Sequence, residues 1–170
     1  MKSFQFFCLS AGVILVCHSC KQTDRKIVPE FDLDLEKQLV SEVIHNSICW
    51  AMTKDTLKLY GSMVQDTTLF IFHPDSASTV RDFAVIRRTA EKVWLDDRFK
   101  ATECNVKDLR IQLSQGGDVA WYSCLLDDIG EWDGQPIGWY NVRWTGVLEK
   151  KDGKWLVMQM HFSFPEERFQ

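Results

Sequence analysis

The sequence predicts an α+β domain with helices packed on one face of a curved antiparallel sheet. Three observations predict it. The hydrophobic period changes along the chain, from steps of three and four in the first half to steps of two from Phe99 onward. The period-two half is divided into four long segments by turn signals at Gly116-Gly117, Glu131 to Pro136 and Asp152-Gly153, the pattern of a hairpin meander. Helices come first, then a strand hairpin and one more helix, then the meander, and this segregation marks α+β architecture.

The stretch FDLDLEKQLVSEVIHNSICWAM places Leu35, Leu39 and Val43 on one row and Val40, Ile44 and Ile48 on the next. That wide apolar stripe predicts an amphipathic helix, with Asp32 or Asp34 as its cap. A second helix is predicted in KDTLKLYGSMV, capped by Thr53, with Leu57, Tyr60 and Val64 on one side. Thr68 to His73 is short, β-branched and aromatic, hence a strand, and HPDSAS after it is a turn. Asp82 opens a third helix with Ile86, Ala90, Val93 and Trp94 facing inward. In the meander, the segment DVAWYSCLLDDIG offers two rows: Trp121, Ser123, Leu125, Asp127, or Ala120, Tyr122, Cys124, Leu126.

At 170 residues the chain fits one domain. A net charge of −4 gives no basic footprint, which argues against nucleic acid as a partner. Residues 1–19 have an early Lys2, an apolar run from Phe4 to Val16 and small residues before Cys20, the pattern of a secretory signal peptide. Val16 to Cys20 resembles a bacterial lipobox, which makes Cys20 the expected lipid-attachment residue and residues 20–30 a tether. A plain secreted form or an uncleaved anchor are the alternatives. The domain then spans 31–165, with a tail at 166–170. The expected location is the bacterial cell envelope, periplasmic or surface-facing. Cys49, Cys104 and Cys124 remain, at spacings that match no zinc pattern. Buried thiols are the expectation for all three, one disulfide the alternative.

The run Arg143-Trp144-Thr145, then Asp152-Gly153-Lys154-Trp155, then His161-Phe162-Ser163 resembles the end of SnoaL-like domains, in the nuclear transport factor 2-like superfamily. The association domain of calmodulin-dependent kinase II has a similar DGKW followed by a His-x-Ser ending. The element order over 31–165 fits as well. Many relatives have a Gly just before the third helix, where this chain has Val80-Arg81-Asp82-Phe83. The resemblance implies a cone-shaped fold, a strongly bent sheet wrapped around about three helices with a pocket at the open end. Relatives include ketosteroid isomerase, scytalone dehydratase, polyketide cyclases and non-catalytic members, and they commonly dimerise through the outer sheet face.

Such a pocket gives meaning to the last strand. Its row Trp155, Val157, Gln159, His161, Ser163 runs from apolar to polar, as a strand does when it passes from beneath a helix into an open cavity. The other row, Leu156 to Phe164, is uniformly apolar and suits a dimer interface or cover by the N-terminal helix or tail. A three-residue loop Lys151-Asp152-Gly153 pairs Lys150 with Lys154 and sets Arg143 opposite His161; a two-residue loop moves Arg143 to the other face. The first register puts Trp139 and Asn141 on the same face as Arg143. With the Trp121 row turned inward, the expected binding residues are Trp50, Tyr60, Trp94, Trp121, Asp127, Trp139, Arg143, Gln159, His161 and Ser163.

A concave aromatic site with a few convergent polar groups is the usual form of a binding pocket, and Arg143 would favour an anion. Three functions stay open. The first is a module binding a small, partly apolar, anionic ligand without catalysis. The second is an isomerase, dehydratase or cyclase with His161 as general acid/base and Arg143 stabilising negative charge. The third is an assembly module. The same residues have structural readings: His161 and Ser163 bonding each other at a strand end, Arg143 paired with Asp127 or Glu103, the tryptophans as core. His45 and His73 stand alone, and Asp127 and Asp128, adjacent on a strand, point apart. No catalytic Ser–His–Asp set, phosphate loop or metal cluster is visible, and no cofactor is expected.

Overall fold

The computed structural model describes residues 32–165, so the expectations for the leader, Cys20, the tether and the tail lie outside the described residues. Helix α1 spans Leu33–Cys49 and runs into a short 3₁₀ turn at Trp50–Met52; α2 spans Thr56–Gly61. Strand β1 is Phe70–Phe72. Helix α3 is Phe83–Thr89 and continues as one π-helical stretch, Ala90–Trp94. The meander follows as β2 (Phe99–Leu113), β3 (Val119–Trp132), β4 (Gln135–Lys151) and β5 (Lys154–Ser163). The sheet order is β1-β5-β4-β3-β2, with β1 parallel to β5 and all other pairs antiparallel. It is the predicted α+β architecture, an open curved sheet with three helices on its concave face.

Asp32, Asp55 and Asp82 cap the three helices, each accepting backbone N–H groups of the first turn. Asp55 takes the place expected of Thr53, and the shorter α2 buries Leu59 while Leu57 faces solvent. On α1 the row that contains Val40 and Ile44 is buried; Leu35 and Leu39 are exposed. Glu36 ties the start of α1 to the last hairpin. Its carboxylate accepts from Lys150 Nζ at 2.5 Å and from Trp155 Nε1 at 2.6 Å. The Lys150 contact holds its pKa below the ordinary value. At the other end of α1, Cys49 forms a disulfide with Cys104 of β2, with Cα atoms 5.5 Å apart. This corrects the expectation of three thiols. Cys124 stays free and buried, its thiol pushed up to about 12 by burial.

The concave face is built by Ala120, Tyr122, Cys124 and Leu126 of β3, Val142, Trp144 and Leu148 of β4, and Trp155, Val157, Met160 and Phe162 of β5, all buried. The inward row of β3 is therefore the Ala120 row, not the Trp121 row.

Two features overturn the expected register of the last hairpin. Lys151 pairs with Lys154, so the loop is the two-residue one, and Asp152 (φ 50) and Gly153 (φ 77) supply the two positive φ values that a type I′ turn needs. Farther along, Met158 is an extra residue in β5, between the pairs Val147–Gln159 and Leu148–Val157. A one-residue bulge exchanges the two faces of a strand. Trp155 and Val157 point inward before it; Met160 and Phe162 point inward after it. Arg143 consequently lies opposite Ser163, and His161 opposite Thr145.

β4 bulges in the same way. Tyr140 and Asn141 together oppose Asp127, so Trp139 turns inward beside Asp128 while Arg143 turns out. The bulge is clamped. Asp127 Oδ1 accepts the Asn141 backbone N–H at 2.7 Å, and Lys107 Nζ donates to both Asp127 oxygens, at 2.7 and 2.6 Å, and to Asn141 Oδ1 at 2.6 Å. Lys107 stands at an irregularity of its own, where β2 slips against β3 before Arg110. Bulges on neighbouring strands, tied by one ammonium, bend the sheet around the helices.

Candidate functional site

A cavity of about 270 Å³ lies between the helices and the concave face. The sheet contributes Asp128, Ile129 and Gly130 from β3, Ile137, Gly138 and Trp139 from β4, Met160 and Phe162 from β5, and Ile71 with the following His73 from β1. The helical side contributes Ser47, Ile48, Trp50, Ala51, Leu59, Met63, Ile86 and Trp94, and Phe99 closes one flank.

Local structure aims the aromatic walls. Trp50 begins the 3₁₀ turn just after the disulfide at Cys49, which fixes where α1 ends over the sheet. Trp94 ends the π-helical stretch, where Leu95 N–H reaches back to Ala90 O at 2.8 Å. Such stretches insert an extra residue per turn and re-aim side chains, and they are frequent at functional sites. The two indoles meet edge to face, with centroids 5.8 Å apart. Phe162 is sandwiched between Trp144 (5.6 Å) and the His73 imidazole (5.3 Å), and Trp139 sits 5.9 Å from that imidazole. Gly138, at φ 126, lets β4 cross close to β3 here; a Cβ at that position would lie 2.1 Å from the Asp128 carbonyl oxygen.

Two titratable side chains line the cavity. Burial pushes the Asp128 carboxyl up to about 6, and it makes no hydrogen bond with any described residue. Burial likewise holds the His73 imidazole below its ordinary value, with Asp75 pulling the other way. No Lys or Arg lies among the described lining residues. Among the described residues no three His, Cys, Asp or Glu side chains cluster as metal ligands.

Of the ten residues proposed from sequence, the structure brings three into this cavity: Trp50, Trp94 and Trp139. The other seven are elsewhere. Arg143, His161 and Ser163 are on the convex face, where His161 packs against Phe72 of β1, with centroids 5.9 Å apart. Trp121 and Gln159 border a hollow on that same outer face. Asp127 is engaged by Lys107 and the Asn141 backbone, contacts that lower its pKa. Tyr60 packs edge to face on Phe83, 5.6 Å away, with Arg87 over its ring. Arg143 and His161 do share a side of the sheet, but it is the side away from the helices. The turn and the Met158 bulge are the reason, and with them goes the basis for an anion-binding pocket and for His161 as its acid/base.

Asp128 and His73 were missed. His73 had a signal: Leu69, Ile71 and His73 alternate, and the first two are buried. For Asp128 the signal was half present. Adjacent strand residues do point apart, which means that one of Asp127 and Asp128 has to face inward.

The SnoaL-like domain family model matches residues 40–167. Among solved structures, an NTF2-like protein from Cytophaga hutchinsonii superposes with a TM-score of 0.60 at 15% identity, covering 80% of this chain and 100% of that one. A nuclear transport factor 2-like superfamily protein from Salmonella enterica serovar Typhimurium gives 0.63 at 16% identity, over 81% and 96% of the two chains. The association domain of the Caenorhabditis elegans kinase CaMKII gives 0.57 at 16% identity, over 77% and 97%. No curated protein matches the sequence. The bent sheet, the helices laid across its concave face and the cavity between them thus accompany a match over most of the chain, and this protein belongs to the SnoaL-like domain family.

Proposed function

We propose that this chain is a ligand-binding module that holds a small, largely apolar molecule in the cavity beneath Trp50, Trp94 and Trp139. The observation that carries the reading is the cavity itself, deep between helix and sheet and walled by aromatic and aliphatic side chains. An apolar cavity of about 150 Å³ accommodates one benzene, so a volume of about 270 Å³ suits a molecule somewhat larger than a single ring. The test uses N-phenyl-1-naphthylamine, a neutral dye that brightens in apolar surroundings. The protein should enhance its fluorescence saturably, and Ala51→Phe, which fills the cavity from the helical side, should weaken binding at least tenfold while the fold stays intact by circular dichroism. Equal binding by the two proteins would place the dye elsewhere and reject the reading.

A second reading, an acid–base enzyme, is favoured by one observation: a carboxyl near pKa 6 facing an apolar cavity is poised to exchange protons at neutral pH. In that reading Asp128 takes the role that the sequence suggested for His161.

The module is further proposed to work at a bacterial cell envelope, anchored by lipid on Cys20, and to pair with a second copy through its convex sheet face. The leader-like residues 1–19 support the first part. So does the disulfide, a bond that persists in oxidising compartments. Cells fed a labelled fatty acid should label the full chain and not Cys20→Ser; labelling of both, or of neither, counts against the anchor.

A further inference from the structure

The geometry points to an organic ammonium ion as the ligand class: we infer that the cavity takes a cation with an apolar body, its charge set against Asp128 and its bulk against the indoles. The inference rests on the binding reading above and specifies which molecule such a site selects.

Among the described lining residues Asp128 is the one acid, none is a Lys or Arg, and His73 is the one other titratable group. Ionised carboxylates in apolar surroundings are ordinarily paired, because an unpaired buried charge is costly. Here no described neighbour, His73 included, bonds to it or lends it a charge, and burial alone acts on it. The Cα partners of Asp128 are Cys104, which is in the disulfide, and Trp139. From α1, the hydroxyl of Ser47 is already donated to Ile44 O at 2.7 Å. The adjacent Asp127 has drawn in Lys107, which leaves that ammonium clamped to the bulge. A carboxylate kept without a counter-ion, facing a space large enough for a molecule, is completed by a cation brought with that molecule.

The walls favour the same sign. Trp50, Trp94 and Trp139 all border the space, and the negative π-face of indole is the best aromatic partner for an ammonium group. His73 does not oppose it, since burial lowers the pKa of its imidazole and so favours the uncharged form. At long range the chain's net charge of −4 also favours the approach of cations. An anionic ligand would meet the reverse: a carboxylate, three indoles and no Lys or Arg among the described lining.

Three small probes of one shape class separate charge from apolar fit: benzyltrimethylammonium, benzyl alcohol and benzoate, titrated by calorimetry at pH 7.5. The cation should bind at least about tenfold more tightly than the alcohol, and benzoate most weakly. Asp128→Asn should bring the cation to within about threefold of the alcohol. Trp94→Leu, which keeps the carboxylate, should weaken the cation several-fold more than the alcohol, and it carries the test if Asp128→Asn does not fold. Benzoate binding as tightly as the cation, or a cation preference that survives both substitutions, overturns the inference. Alcohol binding with no preference for charge overturns it too, yet leaves the binding reading standing. No binding by any of the three at about 10 mM, an affinity below even the weak millimolar range, overturns both.

Discussion

Asp128 carries an energetic cost that its surroundings do not repay. Its pKa is raised from 3.8 to about 6 by burial, so between those values the folded chain holds a proton that the unfolded chain has lost. Stability therefore falls as pH rises through that window. The penalty is absent below about pH 4 and complete above about pH 7. A shift of this size corresponds to roughly 2–3 kcal/mol. Asp128→Asn removes the charge and keeps the shape. It should stabilise the protein by about 2 kcal/mol at pH 8 and by almost nothing at pH 4, read from urea denaturation at each pH. A variant no more stable than the parent at pH 8 would mean that the carboxylate is paired or well hydrated, and the account of the cavity would fail with it. A group that costs stability when ionised and is nevertheless aimed into a cavity fits a site better than a scaffold.

At the level of elements, the sequence was legible where a single period governs a whole segment. Three helices, the short strand and four long strands appear in the predicted order, because stripes such as Val40 and Ile44 and turns such as Asp152-Gly153 act locally. What was not legible is parity. Met158 and the Tyr140–Asn141 pair each add one residue to a strand, and each exchanges the face of everything beyond it. Nothing in the type of Met158 announces a bulge. Asn141 does adopt φ 52, a conformation that Asn tolerates better than most residues, but Asn is as common in turns as in bulges. So the polar end of β5 was assigned to the cavity when it belongs outside, and Trp139 reached the cavity although its supposed companion Arg143 did not.

The pairing of Cys49 with Cys104 was also beyond sequence, since it needs the end of α1 to lie over β2. It closes a loop of 55 residues that contains the two shorter helices and β1. Constraining a loop of that length in the unfolded chain contributes about 2–4 kcal/mol. Cys49→Ser combined with Cys104→Ser should lower the urea midpoint accordingly, and a reducing agent should lower that of the parent but not of the double variant. Coincident midpoints for parent and double variant would show that the bond is not formed in the folded protein.

For the whole molecule, the unsettled surface is the convex face. The bulges that emptied the cavity of Arg143 and His161 loaded this face with them, beside Ser123, Thr145 and Gln159, so it is more polar than the apolar row expected there. Its exposed aromatics include Trp121 and Phe72, each with 48% of its surface exposed. Trp121 stands in a cross-strand row with Gln112, Val147 and Gln159, bordering the outer hollow. A second copy laid sheet to sheet would bury that indole, and its polar surroundings are what a reversible interface carries around such an anchor. Indole burial at the centre of an interface is commonly worth 2 kcal/mol or more, which is about thirtyfold in the dissociation constant. On this reasoning sedimentation equilibrium of the parent domain at about 50 µM, a concentration at which micromolar pairs are well populated, should give a dimer. Trp121→Lys, which sets an ammonium on each copy at the contact, should give a monomer with an unchanged melting temperature in dilute solution, because the side chain is half exposed and packs into no core. A parent protein that sediments as a monomer, or a variant that still pairs, would remove the convex face as the contact and leave Trp121 as an isolated surface residue.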